Sequence, residues 1–466
     1  MSGQTLWWLQ LGFIGYFVAL NGGYLALGLL SMAGLQRNAR ERSGIDDGAA
    51  FLGIEPPISL LVPAYNEEAT IRTSLRSMLQ LEYPELELVV VNDGSPDRTM
   101  EVLVREFKLV PAPIAMRIAI PHARVRGVYR STLHPNLRVI DKDNGGKADA
   151  LNAGINLARY GLFCAVDADS ILQRDSLLRL VRPFLDDGRT VAAGGTVRIA
   201  NGSRVRGGFL EEAGIPGNWL ARFQIVEYLR AFLFGRLGWT SMNAVLIISG
   251  AFGLFSRSRV IDAGGYRHDT IGEDMELVVR LHRWHRERGI PYRISYVPDP
   301  VCWTEAPEDV GTLGRQRSRW QRGLSESLAR HASWALGRRG GAPGWLAWPF
   351  MALFEWLGPL IELAGYAFMI LGVAAGVVSP VALAVFLTVA IGMGILLSVN
   401  GLLLESLAFR VYARKRDMLL LFAIAVLENF GYRQLNTLWR CRGLWQWATR
   451  RERKWGVMRR SGQWGQ

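Results

Sequence analysis

Two long stretches without a charged side chain, one near each end of the chain, constrain the fold more than any other feature. Residues 1–36 contain no Asp, Glu, Lys or Arg, and neither do residues 363–404. A helix crosses a bilayer core with about 20 apolar residues, so the first stretch is long enough for one span and the second for two. Ser379 and Pro380 lie within the second stretch, where proline breaks a helix. We therefore predict three membrane-spanning helices.

The basic residues next to the first stretch predict its orientation. Arg37, Arg40 and Arg42 follow it, and positive charge marks the cytoplasmic side of a span. A cleavable signal peptide would need a basic region before the apolar run, and this sequence has none there. We expect a multi-pass protein of the inner or plasma membrane whose central region is cytoplasmic.

A further apolar segment, 417–438, leaves two interpretations open. The residues after it, 440–466, carry eight basic side chains and one acidic side chain and include Trp445, Trp447 and Trp455. A basic, Trp-rich segment is typical of the cytoplasmic leaflet. We favour a segment that lies in the membrane interface, and the alternative is another crossing that leaves the tail outside.

The charge and composition distinguish two classes of partner. The net charge is +13 and the pI is about 10.0, which would suit a nucleic-acid-binding protein. However, half of the residues are hydrophobic, with 16 Trp and 19 Phe, and the mean hydropathy is +0.12. These values favour membrane lipids over nucleic acid as the partner. The three cysteines are far apart, which excludes a disulfide scaffold.

The central region shows the pattern of an α/β domain. Residues 58–63, 86–92 and 162–167 are short apolar runs, and residues 67–81 have helical periodicity. Strands that alternate with helices form parallel sheets with right-handed crossovers. We therefore predict a mostly parallel sheet buried on both faces.

These observations divide the chain into five parts. The predicted boundaries are 1–36 for an N-terminal transmembrane helix, 37–54 for a linker, 55–331 for the cytoplasmic α/β domain with an interfacial helix at about 229–248, 332–439 for interfacial and transmembrane helices with spans at about 359–378 and 381–404, and 440–466 for a cytoplasmic tail.

Carboxylates follow two of the predicted strands. Asp93 follows the second strand, and Asp167 and Asp169 follow the third. Ligands of open α/β sheets bind at the carboxyl ends of the strands. Asp167 and Asp169 would point the same way in an extended chain and would suit Mg²⁺ or Mn²⁺ together with substrate phosphates. The alternatives are a helix cap for this pair and an ordinary turn residue for Asp93.

Two further motifs lie at predicted helix starts. Lys147 follows two glycines, but the spacing does not fit a Walker loop; it would meet a diphosphate at the helix N-terminus, or be an exposed lysine. Glu273 and Asp274 precede a helical pattern. A carboxylate in this position is either a helix cap or a general base.

A third helical motif combines phosphate-binding and stacking side chains. Gln316, Arg319 and Trp320 are spaced to share one helix face. Arginine offers a planar fork to phosphate oxygens and tryptophan a surface for a sugar ring. A basic helix in contact with lipid is the alternative.

Four short motifs occur in the order typical of one family. They are Asp93, then Asp167 with Asp169, then Glu273 with Asp274, and finally Gln316, Arg319 and Trp320 in the sequence QRSRW. In this order they resemble the family 2 glycosyltransferases, in particular the membrane synthases of cellulose, chitin, hyaluronan and poly-N-acetylglucosamine. The resemblance extends from about Ile58 to the C-terminus and implies a nucleotide-sugar-binding domain of GT-A type combined with membrane helices.

The resemblance also implies a role for each residue. Asp274 would be the catalytic base, with Glu273 beside it. The donor-binding residues would be Tyr65, Glu67, Asp93, Lys147, Asp167, Gln316, Arg319 and Trp320. The metal ligands for Mg²⁺ or Mn²⁺ would be Asp169 and Asp167. The acceptor-binding residues, where the match is looser, would be Ser249, Gly250, Phe252 and Trp320.

The implied activity is metal-dependent, inverting transfer from UDP-N-acetylglucosamine or UDP-glucose to a β-linked polysaccharide, processive and coupled to export. One alternative is transfer of a single sugar to a lipid acceptor. Another is an inactive nucleotide-binding membrane scaffold. The small number of predicted crossings leaves room for an accessory membrane subunit or a homo-oligomer.

Overall fold

The structure, a computed structural model, describes residues 3–42, 53–114, 116–412 and 414–450. Most of the predicted linker and residues 451–466 of the predicted tail lie outside these ranges. The described part combines a large β-sheet, helices that cover it, and a group of apolar helices at the two ends of the chain.

Ten strands of the described residues form one sheet, and two form a separate hairpin. The strands are β1 (Ile58–Ala64), β2 (Leu86–Asp93), β3 (Leu109–Pro111), β4 (Val125–Ser131), β5 (Leu137–Lys142), β6 (Leu162–Val166), β7 (Ile171–Leu172), β8 (Thr190–Ile199), β9 (Arg204–Arg206), β10 (Phe209–Glu212), β11 (Phe252–Ser256) and β12 (Arg293–Thr304). The sheet order is β3-β4-β5-β2-β1-β6-β11-β8-β12-β7, and β9 pairs with β10.

The sheet is α/β as predicted, but it is mixed rather than mostly parallel. Strands β5, β2, β1 and β6 run parallel, and β11 is antiparallel to both β6 and β8. The helical crossover between β1 and β2 requires them to be parallel. Strand β11 instead enters the sheet after a long helical excursion, and nothing in its own apolar pattern specifies its direction.

The described residues form sixteen α-helices. They are α1 (Gly3–Arg42), α2 (Ile71–Met78), α3 (Thr99–Phe107), α4 (Lys147–Leu157), α5 (Ser176–Asp186), α6 (Trp219–Arg230), α7 (Leu237–Thr240), α8 (Arg257–Asp262), α9 (Glu273–Arg288), α10 (Val310–Ala335), α11 (Trp348–Phe350), α12 (Gly358–Ala374), α13 (Pro380–Leu387), α14 (Met393–Ala408), α15 (Lys415–Leu427) and α16 (Tyr432–Ala448). Four π-helical turns connect some of them, at Ala231–Arg236, Pro343–Ala347, Met351–Trp356 and Thr388–Gly392.

Among the described residues, two helices are each long and apolar enough to cross a bilayer, Gln4–Gln36 and Pro380–Ala408. Two bent helix pairs bring the total to as many as four spans: residues 343–374, bent by 45°, and residues 415–448, bent by 58°. The break between the predicted second and third spans occurs where expected, because Ser379 caps α13 by accepting a hydrogen bond from the Ala382 N–H at 3.1 Å. Whether 417–438 crosses the membrane stays a prediction.

The helix predicted at about 229–248 lies about ten residues earlier. It begins after Asn218, whose side chain accepts hydrogen bonds from the N–H groups of Leu220 and Ala221 at 2.8 and 3.2 Å. Helical structure ends at Thr240, and Asn243 has a left-handed backbone with φ of 50°. The apolar pattern continues past the helix because most of residues 244–248 are buried, which explains why the predicted end is too late.

Candidate functional site

Asp93 at the end of β2 organises the loop that leads into α4. Its carboxylate accepts hydrogen bonds from the N–H groups of Gly145 at 3.0 Å and Gly146 at 2.7 Å, and it pairs with the Lys142 ammonium. The side chain of Asp93 is buried. Asp93 therefore shapes the loop from within, and its predicted contact with a nucleoside stays a prediction.

Lys147 is the first residue of α4 and lies between two elements of the sheet. Its ammonium contacts the Asp167 carboxylate and donates a hydrogen bond to the Gly250 carbonyl at 3.1 Å. Burial acts to lower the pKa of Lys147, but the negative charge of Asp167, together with Glu273 and Asp274, raises it above its ordinary value. Lys147 is thus a fixed cation at the rim of the sheet.

Asp167 and Asp169 follow β6 directly, and both are partly exposed, whereas Ala168 between them is buried. Within the part of the chain that the structure describes, no cluster of three or more metal-ligating side chains occurs. Two carboxylates nevertheless fit Mg²⁺ or Mn²⁺, which take hard oxygen ligands and complete their shell with phosphates and water. The Lys147 ammonium on Asp167 shows that this carboxylate accepts a cation.

Glu273 and Asp274 open α9 on the other side of Gly250. The Gly250 N–H donates to Asp274 Oδ2 at 3.0 Å, and Asp274 Oδ1 accepts from the Met275 N–H at 2.8 Å. A side chain at position 250 would crowd this arrangement, because its Cβ would lie 3.1 Å from Lys147 Nζ and 3.3 Å from Asp274 Oδ2. Gly250 therefore brings a cation and a candidate base together.

Glu273 is buried beside Asp274, and its ionisation is disfavoured. Burial, followed by the negative charge of Asp274, raises the pKa of Glu273 to about 7. The charges of Lys147 and Arg319 oppose this shift. A carboxylate with this pKa changes its charge near neutral pH.

This pKa predicts a pH-dependent stability. The ordinary pKa of a glutamate is about 4.5, and the pKa of Glu273 in the folded protein is about 7. Between these two pH values the folded state holds a proton that the unfolded state has released. The stability of the folded state therefore falls as the pH rises from about 4.5 to about 7 and is constant above that. Glu273→Gln should remove this loss and stabilise the protein at pH 8 by on the order of 1–3 kcal/mol, with little effect at pH 4. Thermal melting in detergent measures the difference, with Glu287→Gln on the exposed end of α9 as the control. A pH-independent difference between Glu273→Gln and the wild type would contradict this assignment.

Helix α10 crosses the start of α9 at close range and brings the QRSRW motif near Glu273. A Cβ on Gly323 would lie 2.9 Å from the Gly272 backbone, and the Glu326 carboxylate accepts a hydrogen bond from the Ile271 N–H at 2.9 Å. The absence of side chains at the two glycines lets α10 lie directly on the start of α9. The charge of Arg319 accordingly acts on Glu273.

The three motif residues of α10 differ in exposure. Gln316 is buried and its Oε1 atom has no hydrogen-bond partner within the described residues. Arg319 is partly buried, and Trp320 is 43% exposed. The exposed indole is available to a ligand, and the charge of the preceding residue, Arg319, acts on Glu273.

Several predicted ligand-binding residues have other neighbours. Phe252 is fully buried in the sheet, where β11 pairs it with Val166, so its side chain does not reach the rim. The Ser249 carbonyl accepts a hydrogen bond from the Phe252 N–H at 3.1 Å in the turn before β11. This burial argues against the predicted acceptor contact of Phe252.

Tyr65 and Glu67 lie in the loop after β1. Tyr65 is 48% exposed. The Glu67 carboxylate accepts a hydrogen bond from the Thr70 hydroxyl at 2.6 Å, and the Glu67 N–H donates to Thr99 Oγ1 at 2.9 Å. Their predicted donor contacts stay predictions.

Arg236 is a basic residue near the site that none of the predicted motifs includes. It lies in the π-helical turn after α6. Burial is the largest influence and lowers the pKa of its guanidinium, while Tyr296 and Asp274 oppose this shift. An arginine inside an apolar, aromatic stretch is the signal that identifies it.

Two family models match this chain. The model of glycosyl transferase family 2 covers residues 59–230. The model of glycosyl transferase family group 2 covers residues 162–397, more than half of the chain. Together they include every motif described above.

Curated relatives match over more than half of the chain. The poly-beta-1,6-N-acetyl-D-glucosamine synthase of Staphylococcus epidermidis is 31% identical over 274 residues, which are 59% of this chain and 56% of the relative. The protein of the same name from Staphylococcus aureus (strain COL) is 32% identical over 274 residues, with the same two shares. The chain thus spans about half the length of the curated relatives it matches.

A solved structure confirms the fold. A mannosyltransferase from Pyrobaculum calidifontis, in complex with GDP-Man and Mn²⁺, superposes with a TM-score of 0.54 at 19% identity and covers 90% of this chain and 99% of its own. At this identity the likeness establishes the architecture alone, which is the GT-A type that the motifs imply. With the family model extending over most of the sheet and into the membrane helices, the chain belongs to the family 2 glycosyltransferases.

Proposed function

We propose that this protein transfers a sugar from a UDP-sugar to the hydroxyl group of a growing β-linked polysaccharide, with inversion at the anomeric carbon. One observation carries the proposal: Gly250 joins the Lys147 cation, which also contacts Asp167, to the Asp274 carboxylate. A cation for a diphosphate and a base for an acceptor hydroxyl are the two groups that this transfer needs.

Each side chain then has a defined task. Asp274 accepts the proton of the acceptor hydroxyl as the oxygen attacks the anomeric carbon. Lys147 and Arg319 stabilise the negative charge of the departing diphosphate. Trp320 offers its exposed ring to the acceptor sugar. Attack in line with the leaving group requires no covalent enzyme intermediate, and it inverts the configuration.

Asp167 and Asp169 would hold Mg²⁺ or Mn²⁺. When bound, the ion would supply further positive charge to the diphosphate. The Mn²⁺ and GDP-Man in the mannosyltransferase structure support this proposal.

The names of the relatives favour one sugar donor for this protein. Both are named poly-beta-1,6-N-acetyl-D-glucosamine synthases, and we therefore favour UDP-N-acetylglucosamine over UDP-glucose and a polymeric product over a single transfer. The apolar helices next to the domain support synthesis at the membrane, with export of the glycan. An accessory membrane subunit or a second copy would supply further spans.

Membranes that contain the protein, incubated with a panel of radiolabelled UDP-sugars, test the proposal. We expect UDP release and a labelled high-molecular-weight glycan with UDP-N-acetylglucosamine, and much less product with UDP-glucose. A product of lipid size alone would reject polymerisation in favour of a single transfer to lipid. Nucleotide-sugar binding without UDP release from any donor would identify an inactive scaffold.

A further inference from the structure

The exposed indole of Trp320 is held between two side chains. The Arg317 guanidinium carbon lies 4.4 Å from the centre of the Trp320 ring, and the Tyr228 ring centre lies 6.4 Å away at 48°. Arg317 precedes Trp320 by three residues, so the two share a face of α10. Arg317 is 4% exposed whereas Trp320 is 43% exposed. A buried cation therefore supports one face of an exposed aromatic ring, where cation–π attraction operates.

Arg317 is itself fixed by an acceptor on another helix. Its Nη2 atom donates to Glu227 Oε2 on α6 at 2.7 Å, and the same oxygen accepts the Tyr432 hydroxyl of α16 at 2.6 Å. The Tyr432 ring stacks on Phe223 with ring centres 4.9 Å apart and planes at 22°. We call Glu227, Arg317 and Tyr432 the Glu227 cluster. It joins α6, α10 and α16 directly behind Trp320.

The Arg317 guanidinium of this cluster stays protonated. Burial acts to lower the pKa of Arg317, but the charge of Glu227 raises it above its ordinary value. Removing one charge of a buried pair leaves the other uncompensated, so the arrangement has few alternatives. Only a planar guanidinium can both stack on the indole and bond to the carboxylate, because a lysine ammonium lacks the flat face.

Helix α16 supports α10 within the motif and directly after it. The Ser318 hydroxyl donates to the Trp439 carbonyl at 2.9 Å, and Arg440 Nε donates to Gln321 Oε1 at 2.9 Å. A Cβ on Gly443 would lie 2.5 Å from the Ser318 carbonyl oxygen. These contacts fix the backbone of α10, and the Glu227 cluster contacts the Trp320 side chain on that helix.

We propose that Glu227, Arg317 and Tyr432 are positioning residues that fix the orientation of Trp320 toward the acceptor. The inference rests on the proposed function in one respect, since it takes Trp320 as the contact of the acceptor sugar. It adds that the ring is held by a buried ion pair between helices. Donor binding, which depends on Lys147, Arg319 and the carboxylates after β6, should be independent of it.

The first test observes the indole directly and requires no substrate. The protein is labelled with 5-fluorotryptophan, and the Trp320 ¹⁹F resonance is assigned by Trp320→Phe. Arg317→Lys, Glu227→Gln and Tyr432→Phe should each shift or broaden this resonance. Arg283→Lys is the matched control, because Arg283 forms an exposed ion pair with Glu287 at 2.8 Å on α9, and it should leave the resonance unchanged.

The second test is kinetic. With UDP-N-acetylglucosamine as donor and N-acetylglucosamine oligomers as acceptor, we expect kcat/KM for the acceptor to fall by roughly 10–100-fold in Arg317→Lys. The Kd for UDP should stay within about twofold of the wild type, since a misplaced Trp320 leaves the donor contacts intact. Tyr432→Phe keeps the ion pair and should give a smaller loss in the same parameter.

An unchanged Trp320 resonance in all three folded variants would overturn the positioning role, and so would acceptor kinetics equal to those of Arg283→Lys. Parallel loss of UDP affinity and thermal stability would show a purely structural role. A wild type that shows no transfer would refute the proposed function alone, because the fluorine resonance still decides whether the Glu227 cluster positions the indole.

Discussion

An Asp274→Asn variant should lose glycosyl transfer by about 10²–10⁴-fold while it binds nucleotide-sugar as the wild type does. The amide of asparagine has nearly the same shape as the carboxylate. Its oxygen can still accept the hydrogen bond from the Gly250 N–H, which is 3.0 Å long in the structure. The amide cannot take a proton from an acceptor hydroxyl, however. The variant therefore separates the chemical step from assembly of the site.

UDP release and the Kd for UDP are the two measurements for this variant. The matched control is Asp269→Asn, because Asp269 lies five residues earlier and pairs with Arg267 at the surface, where its side chain is 48% exposed. The control should retain both activity and UDP affinity. Full turnover in Asp274→Asn would show that another group accepts the proton, and a loss of UDP affinity would show that Asp274 mainly builds the donor site.

Loss of the divalent cation should have the second large effect. Chelation by EDTA should stop transfer, and added Mg²⁺ or Mn²⁺ should restore it. Substitution of an outer partner of a metal ligand already weakens metal binding by about 10–100-fold. Asp169→Asn, which removes a proposed ligand itself, should weaken binding of Mn²⁺ in the presence of UDP by at least as much.

Titration of Mn²⁺, followed by electron paramagnetic resonance with saturating UDP, measures this affinity without turnover. The test uses Asp169, since Asp167 pairs with Lys147 and its substitution would also disturb that cation. Asp175→Asn is the control, since Asp175 bonds to Arg179 Nε at 2.7 Å on α5. Equal Mn²⁺ affinity in Asp169→Asn and the wild type would exclude Asp169 as a ligand.

The class of the domain and the membrane character of the chain were accessible from local patterns. Strands joined by a crossover helix must be parallel, and long charge-free stretches have few stable locations other than a bilayer. The direction of β11 was not accessible, because an apolar run of five residues looks the same in either direction. The end of the helical segment after α6 was predicted too late for a similar reason: the loop residues 244–248, most of which are buried, extend the apolar pattern beyond Thr240.

Some features of the site were likewise predictable from the sequence, and others were not. The order of the motifs from Asp93 to Trp320 identified the family, although each motif alone had an ordinary structural explanation. The burial of Phe252 and the inward orientation of the Asp93 carboxylate depend on which face of a strand or loop meets the core. Spacing along the chain does not carry that information.

By itself, the amino-acid sequence determined the family, the α/β class and the residues that can supply a base, a cation and paired carboxylates, because these depend on residue types in a fixed order. Only the tertiary structure decided that Gly250 joins Lys147 to Asp274 and that Glu227 on α6 holds the arginine beneath Trp320. These contacts join residues that are 24 to 103 positions apart. They form because the sheet brings the strand ends together at one rim and because glycines let helices approach closely. Local sequence patterns do not predict either geometry.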